Sequence, residues 1–252
     1  MTRHIGAFKI SSDYQTRSLE NFSKICPEEN RICPAFTLAE VLITLGIIGV
    51  VASLTIPAVI QNSKKAETSA RLKKFYSLME QAIIMSELDN GNSLDWVKVE
   101  TAFDEDGNTD YNAQGKITKE FFMQYLAPYL KYTSITEGKN LDSGTGTRTE
   151  VYLADGSSFS FNNGTCMDFY FDVNGNSKPN VFGRDKFVFL MCFTKSNRLF
   201  FYGSENKSFG PYGKNTKTRE EALNLCKKNA YQCTPLLFWD NWEFKDDYPY
   251  RL

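Results

Sequence analysis

The sequence predicts an α+β fold: a long N-terminal helix, transmembrane in its first half, packs its second half on an antiparallel β-sheet. Three observations predict it. The twenty residues 41–60 carry no charge. A helical apolar period then continues to about Leu88 with no Gly or Pro to break it. From Glu150 onward the period changes to two, in short runs separated by Gly, Asn and Asp. These are the patterns of a membrane-length helix, an amphipathic helix and half-buried strands.

The first element spans residues 36–60. At about 1.5 Å per residue, twenty uncharged residues reach about 30 Å, the hydrocarbon thickness of a bilayer. One acid, Glu40, stands at the head of this run, and one proline, Pro57, stands in its last turn. A carboxylate in that setting needs a partner, and a proline removes a helix hydrogen bond and kinks the helix. Over residues 61–88, Ala66, Ala70, Phe75, Leu78, Ala82, Met85 and Leu88 recur at helical steps, with the lysines and arginines mostly off that stripe. The spacing therefore predicts one helix of about 50 residues.

Residues 89–252 form the predicted globular domain. A polar stretch, 89–117, reads as loop and includes the acidic cluster 104–110. Residues 117–131 read as a helix containing Pro128. Five strands are expected, at 151–153, 158–161, 166–171, 186–192 and 198–202, the first two joined by a hairpin turn. One apolar sheet face then needs a cover, which the second half of the long helix supplies. Thr218 and Glu221 form a capping box that opens a short helix, and the apolar end, 235–244, is expected to pack back on the domain.

The segment Phe36-Thr37-Leu38-Ala39-Glu40, joined directly to an uncharged run, resembles the cleavage and methylation segment of type IV pilins and type II secretion pseudopilins. The resemblance covers about 25 residues. It implies a leader of residues 1–35, cut between Ala35 and Phe36 by a prepilin peptidase, followed by methylation of the new amino terminus. Ala35 departs from the usual Gly before the cut. Glu40 matches the acid that guides assembly, and Pro57 falls where many members kink. The implied location is a bacterial inner membrane, crossed once, with the C-terminal domain outside. The implied partners are other pilin-like subunits, the peptidase, the inner-membrane assembly machinery and membrane lipid. A helix laid on an antiparallel sheet is also the pilin-like fold.

The rest of the composition is consistent with assembly and not with catalysis. Net charge is −1, so no polybasic tail points to nucleic acid. The only histidine, His4, precedes the cut, which removes His-dependent triads and His-ligated metal centres from the exported part. Of the six cysteines, Cys26 and Cys33 lie in the leader. The other four can pair in three ways, and an exported domain favours disulfides. Strand spacing favours Cys166 with Cys192, and a small loop after the capped helix favours Cys226 with Cys233.

One loop carries a candidate ion site. Asp172, Asn174 and Asn176 alternate around Gly175, and Asp185 can close the loop from the far side. Such oxygens suit calcium, although the twelfth-position Glu of an EF-hand is missing. The loop also resembles the C-terminal loop of pilin-like secretion proteins, some of which hold calcium. The alternative is a turn held by its own Asx hydrogen bonds. At the level of function, the resemblance implies a filament subunit, either a main one or one that primes or tips the filament. A membrane-anchored binding module that never polymerises stays open, and a hydrolase working from carboxylates alone ranks last.

Overall fold

The computed structural model describes residues 36–252 apart from 98, 100–101, 109, 138–148, 165, 176, 194–199, 203–204 and 214–215. The expected leader, with Ala35, Cys26 and Cys33, lies outside the described residues. The chain falls into two units, Met1–Pro57 and Ala58–Leu252.

Helix α1, Leu38–Asn90, runs through the boundary with Pro57 inside it. In the first unit its side chains are almost all exposed, including Leu42, Ile43, Ile47, Ile48 and Val50. The segment is long and apolar enough to cross a membrane. Its hydroxyls return to the helix backbone: Thr44 donates to the Val41 carbonyl, Ser53 to Val50 and Thr55 to Val51. None of these three needs water as a partner, which suits a bilayer interior.

The second unit is built around one α1 face: Thr68, Leu72, Phe75, Tyr76, Met79, Ala82, Ile83 and Ser86. This corrects the sequence stripe. Phe75 and Ala82 are buried as expected, but Ala66, Ala70, Met85 and Leu88 are exposed. The polar Thr68 and Ser86 occupy the buried ends that apolar periodicity assigned to neighbours. Asn90 helps satisfy Ser86 by donating to its Oγ at 3.1 Å.

A six-stranded antiparallel sheet faces α1 in the order β1-β2-β3-β4-β5-β8. The strands are β1 Tyr132–Glu137, β2 Thr149–Leu153, β3 Ser158–Asn163, β4 Met167–Asp172, β5 Lys186–Met191 and β8 Phe209–Pro211. A separate hairpin pairs β6, Phe200–Tyr202, with β7, Glu205–Lys207. The expected fifth strand thus belongs to that hairpin, and β1 and β8 take the two sheet edges. Pro211 is tolerated in β8 because an edge strand has no donor to lose to a further neighbour.

Register places Phe159 opposite Phe171, Phe161 opposite Phe169, Phe171 opposite Phe187 and Phe169 opposite Phe189. Phe75 packs into this ladder, stacked on Phe171 with centroids 4.2 Å apart and edge-on to Phe189 at 5.2 Å. Cross-strand aromatic pairs of this kind stabilise a sheet beyond their area. The other face is covered as well. Tyr170 is buried there beside Tyr231, whose hydroxyl lies 2.9 Å from its own, and the buried Val188 N–H donates to Thr234 Oγ1. The sheet therefore has two buried faces, where one was expected, and β4 and β5 read as nearly continuous apolar runs.

Helix α2, Tyr111–Tyr125, begins six residues before its expected start and ends before Pro128. Asp110 Oδ1 accepts the Ala113 N–H and starts it. A 3₁₀ turn, Ala127–Tyr129, follows where the helix was expected to run on to 131, and the chain then enters β1, a strand that was not expected. Proline cannot continue the helix, and the β-branched Thr133, Ile135 and Thr136 suit a strand. Thr218 caps α3, Arg219–Lys228, by accepting the Glu221 N–H, and Glu221 returns an oxygen to the Lys217 N–H at 2.7 Å. Helix α4, Thr234–Trp239, buries Leu236 and Leu237, so the apolar end is part of the core.

Candidate functional site

The N-terminal site is a short, self-contained constellation. Thr37 precedes α1 as its cap, and Glu40 is the third helical residue. Glu40 N–H donates to Thr37 Oγ1 at 3.2 Å, and Glu40 Oε2 accepts both the Thr37 N–H at 2.8 Å and the Thr37 hydroxyl at 2.9 Å. This is a capping box, with donors of the first turn satisfied from within. Phe36 stands just outside it, 87% exposed. The sequence pattern Thr-x-x-Glu carried this second role for Glu40, which the motif reading alone did not assign.

Cysteines 166, 192, 226 and 233 form two disulfides, Cys166–Cys192 and Cys226–Cys233. The first flanks the paired ends of β4 and β5, next to the Met167 and Met191 pair, with Cα atoms 4.5 Å apart. The second ties α3 to the start of α4.

Loop 172–185 joins β4 to β5. Asp172, buried at the end of β4, lies opposite Lys186. Its Oδ1 accepts the Asn174 N–H at 3.1 Å, an Asx turn. Burial pushes its carboxyl up to about 6, against the pull of that N–H and of the Lys186 charge. Among the described residues, Asp172 Oδ2 and Asn174 Oδ1 are both buried with no hydrogen-bond partner. Asp185 braces the loop: its oxygens accept the Asn180 N–H at 2.8 Å and the Val181 N–H at 2.6 Å.

Asn176 lies outside the described residues. Among the described residues no cluster of three or more His, Cys, Asp or Glu is arranged to hold a metal. The groups that fit a hard cation are therefore the two buried oxygens of Asp172 and Asn174, which a cation would satisfy. The acidic stretch at 104–110 folds on itself, with Asp104 Oδ1 accepting the Asp106 and Asn108 N–H groups.

The same loop is fastened to α1. Arg71 Nη1 donates to the Val173 carbonyl at 2.8 Å and the Asp155 carbonyl at 3.0 Å, and Lys74 pairs with Asp155 at 2.7 Å. Burial acts to raise Asp155, but the Lys74 and Ser157 hydrogen bonds outweigh it and hold the carboxyl at about 2. Gly175, at φ 51°, lies so close to the Gly156 carbonyl that a Cβ there would meet its oxygen at 2.5 Å. The loop consequently packs beside the β2–β3 turn and the start of the amphipathic half of α1.

A long helix over an antiparallel sheet, with an apolar extension and a disulfide-stapled domain, defines the class. Residues 58–252 match the model of DUF6613, a family of unknown function, and the chain belongs to that family. No curated protein and no solved structure matches the chain.

Proposed function

We propose that this chain is a structural subunit of a type IV pilus-like or type II secretion pseudopilus-like filament. It is inserted in the inner membrane, cut between Ala35 and Phe36, methylated and polymerised. The observation that carries the reading is the Phe36-to-Glu40 motif opening a helix whose uncharged run, residues 41–60, is almost all exposed in the single chain. Such a surface needs lipid before assembly and neighbouring helices after it. On leaving the bilayer, Glu40 pairs with the new amino terminus of a neighbouring subunit, which satisfies both charges and sets register. The work is assembly and not catalysis.

Intact-mass analysis of protein extracted from membranes tests the reading. Loss of residues 1–35 with one added methyl group is expected. Stable full-length protein beside an active peptidase sinks it, and favours an anchored binding module.

A second element of the proposal is calcium at loop 172–185, favoured by the two buried, undonated oxygens of Asp172 and Asn174. An ion there would rigidify the loop that braces α1, and its test closes the Discussion.

A further inference from the structure

A second feature lies beside that loop. A cleft of about 210 Å³ is lined by Lys64, Glu67, Asn174, Lys178, Arg184 and Asp185, among others. Its acids are already engaged. Glu67 pairs with Arg71 at 2.9 Å, and both Asp185 oxygens accept backbone N–H groups. Its cations are not: among the described residues Lys64, Lys178 and Arg184 have no acidic partner. Three cations without an acidic partner around one cleft favour an anionic oxygen as its occupant.

Position narrows the source of that oxygen. The uncharged run ends at Ile60, and Lys64 follows four residues later on the same helix. That is a rise of roughly 6 Å, which matches the depth of one headgroup layer outside the hydrocarbon core. We propose that the cleft holds the phosphate of a membrane phospholipid, gripped by Lys64, Lys178 and Arg184. This rests on reading residues 41–60 as a membrane span. It adds a lipid-specific contact that anchors the globular unit on the bilayer surface until the subunit is withdrawn.

The test uses the full chain in neutral detergent, titrated with dioleoyl phosphatidylglycerol and followed by native mass spectrometry. Lys178→Ser and Arg184→Gln should each weaken lipid retention about fivefold, whereas Lys73→Ser, an exposed cation outside the cleft, should not. Lys178 is exposed, so its variant keeps the question answerable if Arg184→Gln folds poorly. Retention unchanged by both cleft variants, or lowered equally by Lys73→Ser, overturns the site. Glycerol 3-phosphate competing at the same concentration as the lipid overturns the lipid assignment in favour of a free phosphate ester. Flotation of the wild type with phosphatidylcholine vesicles reads the span alone. A chain that fails to float overturns the membrane reading and this proposal with it, and one that floats without cleft dependence overturns only the proposal.

Discussion

Thr37 and Glu40 satisfy each other at the head of α1: the threonine hydroxyl takes the glutamate N–H at 3.2 Å, and the glutamate carboxylate takes the threonine N–H at 2.8 Å. Glu40 therefore has a local partner in the single chain. This separates two roles that one residue type would otherwise confuse. Its oxygen caps the helix, and its charge stays available for the further partner that the proposed assembly would supply.

That separation gives the first prediction. Glu40→Gln keeps an acceptor for the cap but removes the charge, whereas Glu40→Ala removes both. The cap contributes about 1 kcal/mol to the first turn, too little to prevent insertion. Both variants should be inserted and cut normally, and neither should appear in sheared filament fractions. Wild-type incorporation of Glu40→Gln would leave Glu40 with the capping role alone.

Phe75 gives the second. It is buried against Phe159, Phe171 and Phe189. Phe75→Ala should lower the unfolding free energy by about 3–5 kcal/mol, measured in urea. Met85→Ala and Leu88→Ala, on the exposed side of the same helix, should stay within about 0.5 kcal/mol of wild type. The reverse ranking would restore the face that apolar periodicity alone suggests.

The same residues show what the sequence made legible. The uncharged run, the strands β2 to β5 and the cysteine pairs follow from local pattern, because each depends on residues a few positions apart or on one strand pair. The buried face of α1 does not, since Thr68 and Ser86 are polar and their burial is decided by the sheet. Tyr129 and Leu130 carried the expected helix past Pro128 to 131, and strand β1, just beyond it, was not expected at all. Strand β8 has three residues, among them Gly210 and Pro211, and only its pairing with β5 defines it. At the candidate site, Asp172 and Asn174 stand out in the sequence as a turn motif. The cleft joining Asn174 to Lys64 does not, because it is assembled from segments more than 100 residues apart.

A pH dependence follows from two carboxylates with opposite shifts. Asp172 titrates at about 6 when folded, above its ordinary 3.8, so the folded state binds its proton more tightly than the unfolded one. Stability should therefore rise as pH falls from about 7 through 6 and level off near 4. Asp155, held at about 2, acts in the other direction: its contribution is complete above about 4 and is lost as pH falls toward 2. Urea unfolding in chelator at pH 8, 6 and 4 should show the first effect, and Asp172→Asn should flatten it while raising stability at pH 8 by about 1–2 kcal/mol. An unchanged slope in Asp172→Asn would assign the window to another group.

Calcium gives the last prediction, and it uses the same carboxylate. Among the described residues Asp172 Oδ2 and Asn174 Oδ1 are buried with no hydrogen-bond partner, and an ion would supply one. A ligand that binds only the folded form stabilises it by RT ln(1 + [L]/Kd), about 2.7 kcal/mol at a hundredfold excess over Kd. The protein should melt higher in millimolar calcium than in chelator at pH 8. The gain should shrink as pH falls below about 6, because a proton on Asp172 competes with the ion. Asp172→Asn should lose most of it, since the amide offers one neutral oxygen in place of a charged pair. Magnesium should substitute poorly, because a loop of carboxylate and amide oxygens suits the larger and less strictly octahedral ion. Equal melting in calcium and chelator at pH 8 would reduce the loop to its Asx turn. The filament proposal would stand apart from that result, since it depends on Phe36, on Glu40 and on the exposed apolar helix they open.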